Sequence, residues 1–388
     1  MTHGSLRPRL VDARLARQAV VACGCAAVVW MIFLREFGPA DLSVFVRAGQ
    51  SVADGVSPYI DPSSPAVWSG HAFVYPYPVA WAFIPFNELS MATTGLLFYG
   101  ASVAALVASV RMLAGPRVGA LPIALAVTTE PVVRSLQLGT LNVWLLFGLA
   151  LAWRYQRRTG VLVVALTAVI VGKLFLLPML AWLVLTGRAR AAAAAALLGG
   201  AVVVIGCAMA DLSLGSYGRM LSVLSYHEAP QSSSVAGRLE HLGASSAAAT
   251  GVAVALAVLI IAVGWTMSRR RNNEAYLFCG CVAASLAASP IVWTHYFTLL
   301  LLIPLTLNWR RRSQVIAWGM TWLLGTPVSA PSFRIPQPVH GIALACAGIL
   351  VSVAVRSALR RVPAGTPDRR RLRQERDLSS RRELSSLD

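Results

Sequence analysis

Four ionisable side chains sit where an apolar sequence has least use for them: Asp41, Arg134, Lys173 and His295. Asp41 follows a run of apolar residues of bilayer length and opens the stretch DLSVFVRAGQSVADG. A carboxylate there can cap the helix that starts at this point, accepting from its first free N–H groups. It can equally act as a general base on an alcohol that arrives at the membrane surface. Lys173, in AVIVGKLFLLPML, is the only lysine among 34 basic residues. An ionisable group in an apolar membrane segment is costly and is a functional candidate by default, and a compact ammonium suits a phosphate pocket. Glu130 and Arg134 stand one turn apart in TTEPVVRSLQLGTLN. They can neutralise one another as an i,i+4 pair, or Arg134 can face a cavity and bind an anion. His295 begins an apolar stretch beside Trp293 and Tyr296, as an interfacial aromatic belt would. Ser289 and Pro290 also break the helix there, which is tolerated at membrane depth only where backbone is protein-covered or lines water. Arg47, Arg219, Arg238 and Arg334 are lone basic residues suited to lipid headgroups or a donor phosphate.

The elements that must position these residues are membrane helices. Of 388 residues, 56% are hydrophobic and 13% charged, with mean hydropathy +0.64, whereas a soluble domain carries about 25% charged residues. Apolar segments near bilayer length recur at 18–34, 77–113 (a short broken helix, then a full one), 118–136, 141–154, 159–172 and 174–186. They continue at 191–210, 249–267, 274–288, 291–308, 313–326 and 338–358, twelve expected crossings, with ten or eleven also compatible. Those around 159–186 are too brief to cross without tilt or protein cover. A β-barrel would show short alternating segments instead. The net charge of +18 falls in small clusters between apolar runs, such as RYQRR at 154–158 and SRRR at 268–271. With the N-terminus inside, every cluster lands on the cytoplasmic side, so the charge reads as topology and not as a nucleic-acid surface.

That alternation places two long loops outside, 35–76 and 211–248. In the first, Leu42, Val44, Phe45, Val46, Ala48 and Val52 recur at helical spacing until Gly55 and Pro58 stop the helix. Such a helix is expected to lie in the interface with its apolar face in the headgroup zone. In the second, SLGSYGRMLSVLSYHEAP is a shorter amphipathic piece ending at Pro230. Residues 1–17 form a basic cytoplasmic start, 18–358 the transmembrane domain, and 359–388 a basic, disordered cytoplasmic tail. Residues 1–34 read as an uncleaved anchor, because no small-x-small site closes the apolar core. All six cysteines lie in apolar segments, as core fillers. No Walker loop, dinucleotide fingerprint, H-E-x-x-H or internal repeat is present.

In order and spacing these pieces resemble the GT-C membrane glycosyltransferases, specifically glycosyltransferase family 87. DLSVFVRAGQSVADGVSPYI is similar to the family's Asp, Ala and Gly-x-x-x-Tyr after the first span, and FVYPYPVAWAFIPF to its Tyr-Pro-Pro element. QLGTLNVWLL resembles a Gly-Gln-x-Asn turn in which Gly139 and Asn142 are kept and Thr140 replaces the Gln. GKLFLLP resembles a Lys-to-Pro element, and SPIVWTHYF a Ser-Pro-x-Ser-Trp-x-His motif with Val292 for the second Ser. The resemblance implies a GT-C bundle of about 10–12 transmembrane helices and an enzyme of the outer plasma-membrane face. It would use a polyprenyl-phosphate sugar, most simply mannose, and a glycolipid or glycan acceptor. It implies Asp41 as base with His295 in support, and Lys173, Arg134, Asn142, Tyr75, Tyr59, Arg47 and Trp293 as substrate ligands. One base and one displacement give inversion at the anomeric carbon. No cofactor is expected, and no metal, since Asp41 is followed by Leu42 and Ser43 and the nearest acid is Glu36. An arabinofuranosyl donor is the nearest alternative. A lipid-linked sugar flippase is a different class, disfavoured because neither repeats nor a midplane carboxylate is found.

Overall fold

The computed structural model describes residues 39–115, 120–307 and 317–318, all within a compact unit that ends at Pro327. The expected spans at 18–34 and 338–358, most of 313–326, Arg334 and both terminal segments lie outside the described residues. Every regular element among the described residues is helical, as an all-α polytopic membrane protein requires.

The chain enters through α1 (Ala40–Ala53), whose buried residues Leu42, Val44, Phe45 and Ala48 form one stripe. It ends where Gly55 takes a left-handed φ of 72°. The stripe does not rest in headgroups. Phe45 is fully buried, stacked on Phe83 and edge-on to Tyr75, each at 4.9 Å between ring centroids. A Cβ on Gly49 would come within 2.8 Å of the Phe83 carbonyl carbon, so α1 crosses that backbone as closely as only glycine allows. An amphipathic stripe looks the same whether lipid or protein covers it, and here protein covers it.

After α1, Pro78 and Pro85 start two short helical pieces, α2 (Pro78–Trp81) and the 3-10 turn Ile84–Phe86. Then Ser90 caps α3 (Met91–Ala114) by accepting from the Thr93 N–H. Next come α4 (Ala120–Thr128), α5 (Glu130–Leu138) and α6 (Asn142–Arg154). The next are α7 (Thr159–Gly172), the 3-10 turn Leu174–Leu176, α8 (Met179–Leu185) and α9 (Ala189–Met209). The second loop contains α10 (Leu214–Glu228) and α11 (Val235–His241), each capped by a serine, Ser213 and Ser234. Last are α12 (Ser246–Arg271), α13 (Ala275–Ala288), the 3-10 helix Thr294–Leu301 and α14 (Leu302–Thr306).

Among the described residues, α3, α9 and α12 are each long and apolar enough to cross a bilayer, and α5 and α6 together make a fourth, bent by 118°. Full crossings expected at 118–136, 141–154, 159–172, 174–186 and 291–308 are short helices separated by breaks. The breaks fall at Pro131, Gly139, Lys173–Pro178 and Pro290, where a proline or a left-handed residue interrupts the backbone ladder. Hydropathy windows average over such points and miss them. The outer sides of α9 and α12 expose Leu197, Ile205, Val258 and Leu259, surface that suits lipid. The interior is packed around Trp182, whose ring lies 4.7 Å from Phe278, itself 4.9 Å from Trp153.

Candidate active site

The breaks bring separated segments together around Lys173. This residue is extended between α7 and the following 3-10 turn. Its side chain is buried, with Nζ 3.4 Å from the centroid of the Tyr296 ring and 5.6 Å from that of Tyr75. Tyr296 is in turn stacked on Phe175 at 5.4 Å. The ammonium sits in an aromatic cage and makes no contact ion pair among the described residues, while its charge acts on Asp41 and Glu228. Such a cation is held in place and still free to meet an anion.

Asp41 is in the first turn of α1, but the N-cap of that helix is Pro39 and no side-chain cap bond forms. Capping therefore does not account for Asp41. Burial raises its carboxyl above the ordinary aspartate range, and the charges of Lys173 and Arg134 partly pull it back. Arg134, half-buried on α5, places Nη1 3.5 Å from Gln137 Oε1 and acts on both Asp41 and His295. It does not pair with Glu130 in contact; Glu130 is buried at the start of α5 with Oε2 lacking a hydrogen-bond partner. The self-neutralised pair weighed from the sequence is not formed.

His295 is buried in the 3-10 helix Thr294–Leu301, with Tyr296 edge-on at 5.0 Å. That helix packs on α5. Asp41 and His295 feel the same two cations, yet no hydrogen bond joins them. Trp293 and Glu228, the last residue of α10, act on one another. Burial raises the Glu228 carboxyl, Trp293 lowers it, Asp41 raises it and Lys173 lowers it.

The sequence-predicted residues Asp41, Tyr75, Arg134, Lys173, Trp293 and His295 thus converge. Three others are placed around them. Tyr59 donates from Oη to the Tyr75 carbonyl at 2.8 Å and so fixes the loop that carries Tyr75. Asn142 is fully buried at the α5–α6 bend, donating from Nδ2 to Thr140 Oγ1 at 2.9 Å, with Oδ1 unpartnered. Arg47 is exposed on α1, 3.5 Å from the His71 carbonyl. Sequence reasoning passed over Glu228 and Tyr296. The only signal for Glu228 was a lone acid closing an amphipathic helix two residues before Pro230. Among the described residues no group of three or more His, Cys, Asp or Glu could hold a metal ion.

An apolar groove of about 1170 Å³ runs between α3, α6 and α7, lined among others by Phe98, Trp144, Phe147, Val164, Ala168 and Gly172. Its wall reaches Gly172, the residue before Lys173.

The model of glycosyltransferase family 87 matches residues 73–290, more than half of the chain. Tyr75, Arg134, Lys173 and Glu228 fall inside that range, while Asp41 and His295 flank it. No curated protein and no solved structure matches the chain. An apolar helical bundle whose broken helices gather acids, cations and aromatics at one place, and whose sequence matches this family over most of its helices, is a membrane glycosyltransferase acting on a sugar donor and an acceptor: the chain belongs to glycosyltransferase family 87.

Proposed function

We propose that the protein is an inverting mannosyltransferase of the plasma membrane. It takes mannose from a polyprenyl-phosphate donor and passes it to a glycolipid or glycan acceptor at the extracytoplasmic face. The observation that carries this reading is a carboxylate with no capping duty, Asp41, on which the charges of Lys173, caged between Tyr296 and Tyr75, and Arg134 both act. Lys173 and Arg134 suit a phosphate, and Asp41 suits an alcohol. Support for the lipid part comes from the apolar groove, which runs into Gly172 and so would lead a polyprenyl chain to Lys173. The stretch from Ser289 to His295 favours mannose over arabinofuranose through its likeness to the family's Ser-Pro, Trp and His element.

In the proposed reaction the acceptor oxygen attacks the anomeric carbon as the bond from that carbon to the phosphate oxygen breaks. The bonding electrons leave on the phosphate, whose growing charge Lys173 and Arg134 meet, and the hydroxyl proton passes to Asp41. Tyr296, with His295 edge-on to it, holds the cation from one side, and Tyr75 closes the other side of the cage. The two fixed cations supply the charge compensation for which relatives in the wider superfamily use a divalent ion, so the mechanism runs without metal or cofactor. Residues 18–358 act as the catalytic domain, with 35–76 and 211–248 as its extracytoplasmic loops.

Membranes containing the protein, supplied with radiolabelled polyprenyl-phosphate mannose or polyprenyl-phosphate arabinofuranose, test the donor. Transfer of mannose with inverted anomeric configuration is the expected result. Transfer from the arabinose donor alone, or retention of configuration, overturns the proposal.

A further inference from the structure

The Lys173 cage is closed by a ring whose own backbone belongs to no helix. Tyr75 lies in the irregular stretch between the 3-10 turn Pro65–Trp68 and α2, so no helical ladder holds its carbonyl or that of Val74. Two phenols do so instead. Tyr217, on α10 of the second loop, donates from Oη to the Val74 carbonyl at 3.1 Å, and Tyr59 donates to the Tyr75 carbonyl at 2.8 Å. The two rings meet edge-on with 5.8 Å between centroids, and Tyr217 is buried. A phenol suits this duty, because a stiff ring fixed by packing carries a donor at its far end. The apolar cluster that seats Tyr217 also contains Met220 and Leu224. Packed against it are Val74 and Leu174, the sequence neighbours of Tyr75 and Lys173. From that pinned backbone the Tyr75 ring centroid lies 5.6 Å from Lys173 Nζ, and the ring is edge-on to Phe45 of α1 at 4.9 Å. Tyr75 therefore meets both the cation and the helix that carries Asp41.

We infer that Tyr217 is a positioning residue for the donor phosphate: with Tyr59 it pins the Val74–Tyr75 backbone, and through the Tyr75 ring it fixes the place of the Lys173 ammonium. The second loop is then a working part of the donor site, and Tyr59 acts on the donor through Tyr75. That the ammonium meets a phosphate rests on the transferase reading above; the pinning itself does not.

Because Lys173 is the only lysine in the chain, an amine reagent probes the cage directly. Full-length protein in membranes is treated with acetic anhydride, and acetylation of the Lys173 peptide is followed by mass spectrometry. Tyr217→Phe and Tyr59→Phe each keep the ring and remove one hydroxyl. Each should speed acetylation about 2- to 12-fold, the range spanned by one neutral hydrogen bond. Ser109→Ala is the control: it removes a buried hydroxyl that donates within α3, to the Ala105 carbonyl at 2.6 Å, and should leave the rate unchanged. With the mannose donor, Tyr217→Phe should lower donor kcat/KM by a similar factor and leave the acceptor KM unchanged. In a Lys173→Met background it should lower nothing further. Wild-type acetylation rates in both tyrosine variants, an equal rise in Ser109→Ala, or a loss that adds in full to that of Lys173→Met overturns the inference. If Tyr217→Phe does not fold, Tyr59→Phe carries the same measurements. A wild-type protein that transfers no sugar from any polyprenyl-phosphate donor defeats the transferase reading alone, since the acetylation rates are measured without donor.

Discussion

The bend between α5 and α6 makes a sharp test of how the base is positioned. Gly139 ends α5 with φ +70°, and a Cβ built there would lie 2.5 Å from Leu42 Cβ, 3.3 Å from its N and 3.4 Å from its Cα. Leu42 follows Asp41 in α1 and is buried, so it has no free space to yield into. Gly139→Ala therefore has two separable effects. The left-handed conformation costs an alanine about 1–2 kcal/mol. Restoring a carbon–carbon contact to roughly 3.5–4 Å then requires Leu42 to retreat by about 1–1.5 Å, and Asp41 moves with it. A misplacement of about 1 Å in a reacting group costs on the order of 10²-fold in rate, or about 2.7 kcal/mol of barrier. Gly187→Ala provides the control: it has φ +80° but no atom within 4 Å of the new Cβ. In detergent, Gly187→Ala should lose only the few degrees of Tm that the left-handed backbone costs, Gly139→Ala more because it also displaces Leu42, and only Gly139→Ala should lose the transfer rate. Equal rates for the two would refute the claim that this turn seats the base.

Other expectations follow from the same geometry. Lys173→Met keeps a flexible apolar chain against Tyr296 and removes the charge; losing about 1.5–3 kcal/mol of charged hydrogen bonding lowers kcat/KM for the donor by roughly 10- to 150-fold, read by steady-state kinetics. Because Asp41 must be ionised to act and burial raises its pKa, the acidic limb of kcat/KM lies above the range of a free aspartate, about 3.9. Lys173 stabilises the ionised form, so its loss moves that limb to higher pH, which a pH–rate profile records. Ala168→Trp, on the groove wall, should raise the KM of a long-chain donor while sparing a short-chain analogue.

Much of this arrangement was readable along the chain, for identifiable reasons. The 3.6-residue rhythm of Leu42, Val44, Phe45 and Ala48 marked α1, and the single lysine marked the centre of the site. What the rhythm did not carry was its partner: Phe73, Phe83 and Phe98 cover the stripe that lipid was expected to cover. The choice between cap and base for Asp41 depended on whether the N-cap falls at 39 or 41, a shift of two residues below the resolution of sequence signals. Glu228 comes within electrostatic reach of Asp41 only through the tertiary packing of the second loop, which no local pattern encodes. Asn142 illustrates the converse: a residue picked out as a ligand is also the bracket that ties Thr140 into the bend.

The most direct measurement is the rate of sugar transfer by Asp41→Asn in membranes, at a donor concentration that saturates the wild-type protein. Asparagine preserves size and removes the charge together with the ability to take a proton. A fall of roughly 10²- to 10⁴-fold with donor binding retained is the outcome expected of a general base. Transfer at the wild-type rate would contradict the account, because Asp41 would then not be the group that takes the proton.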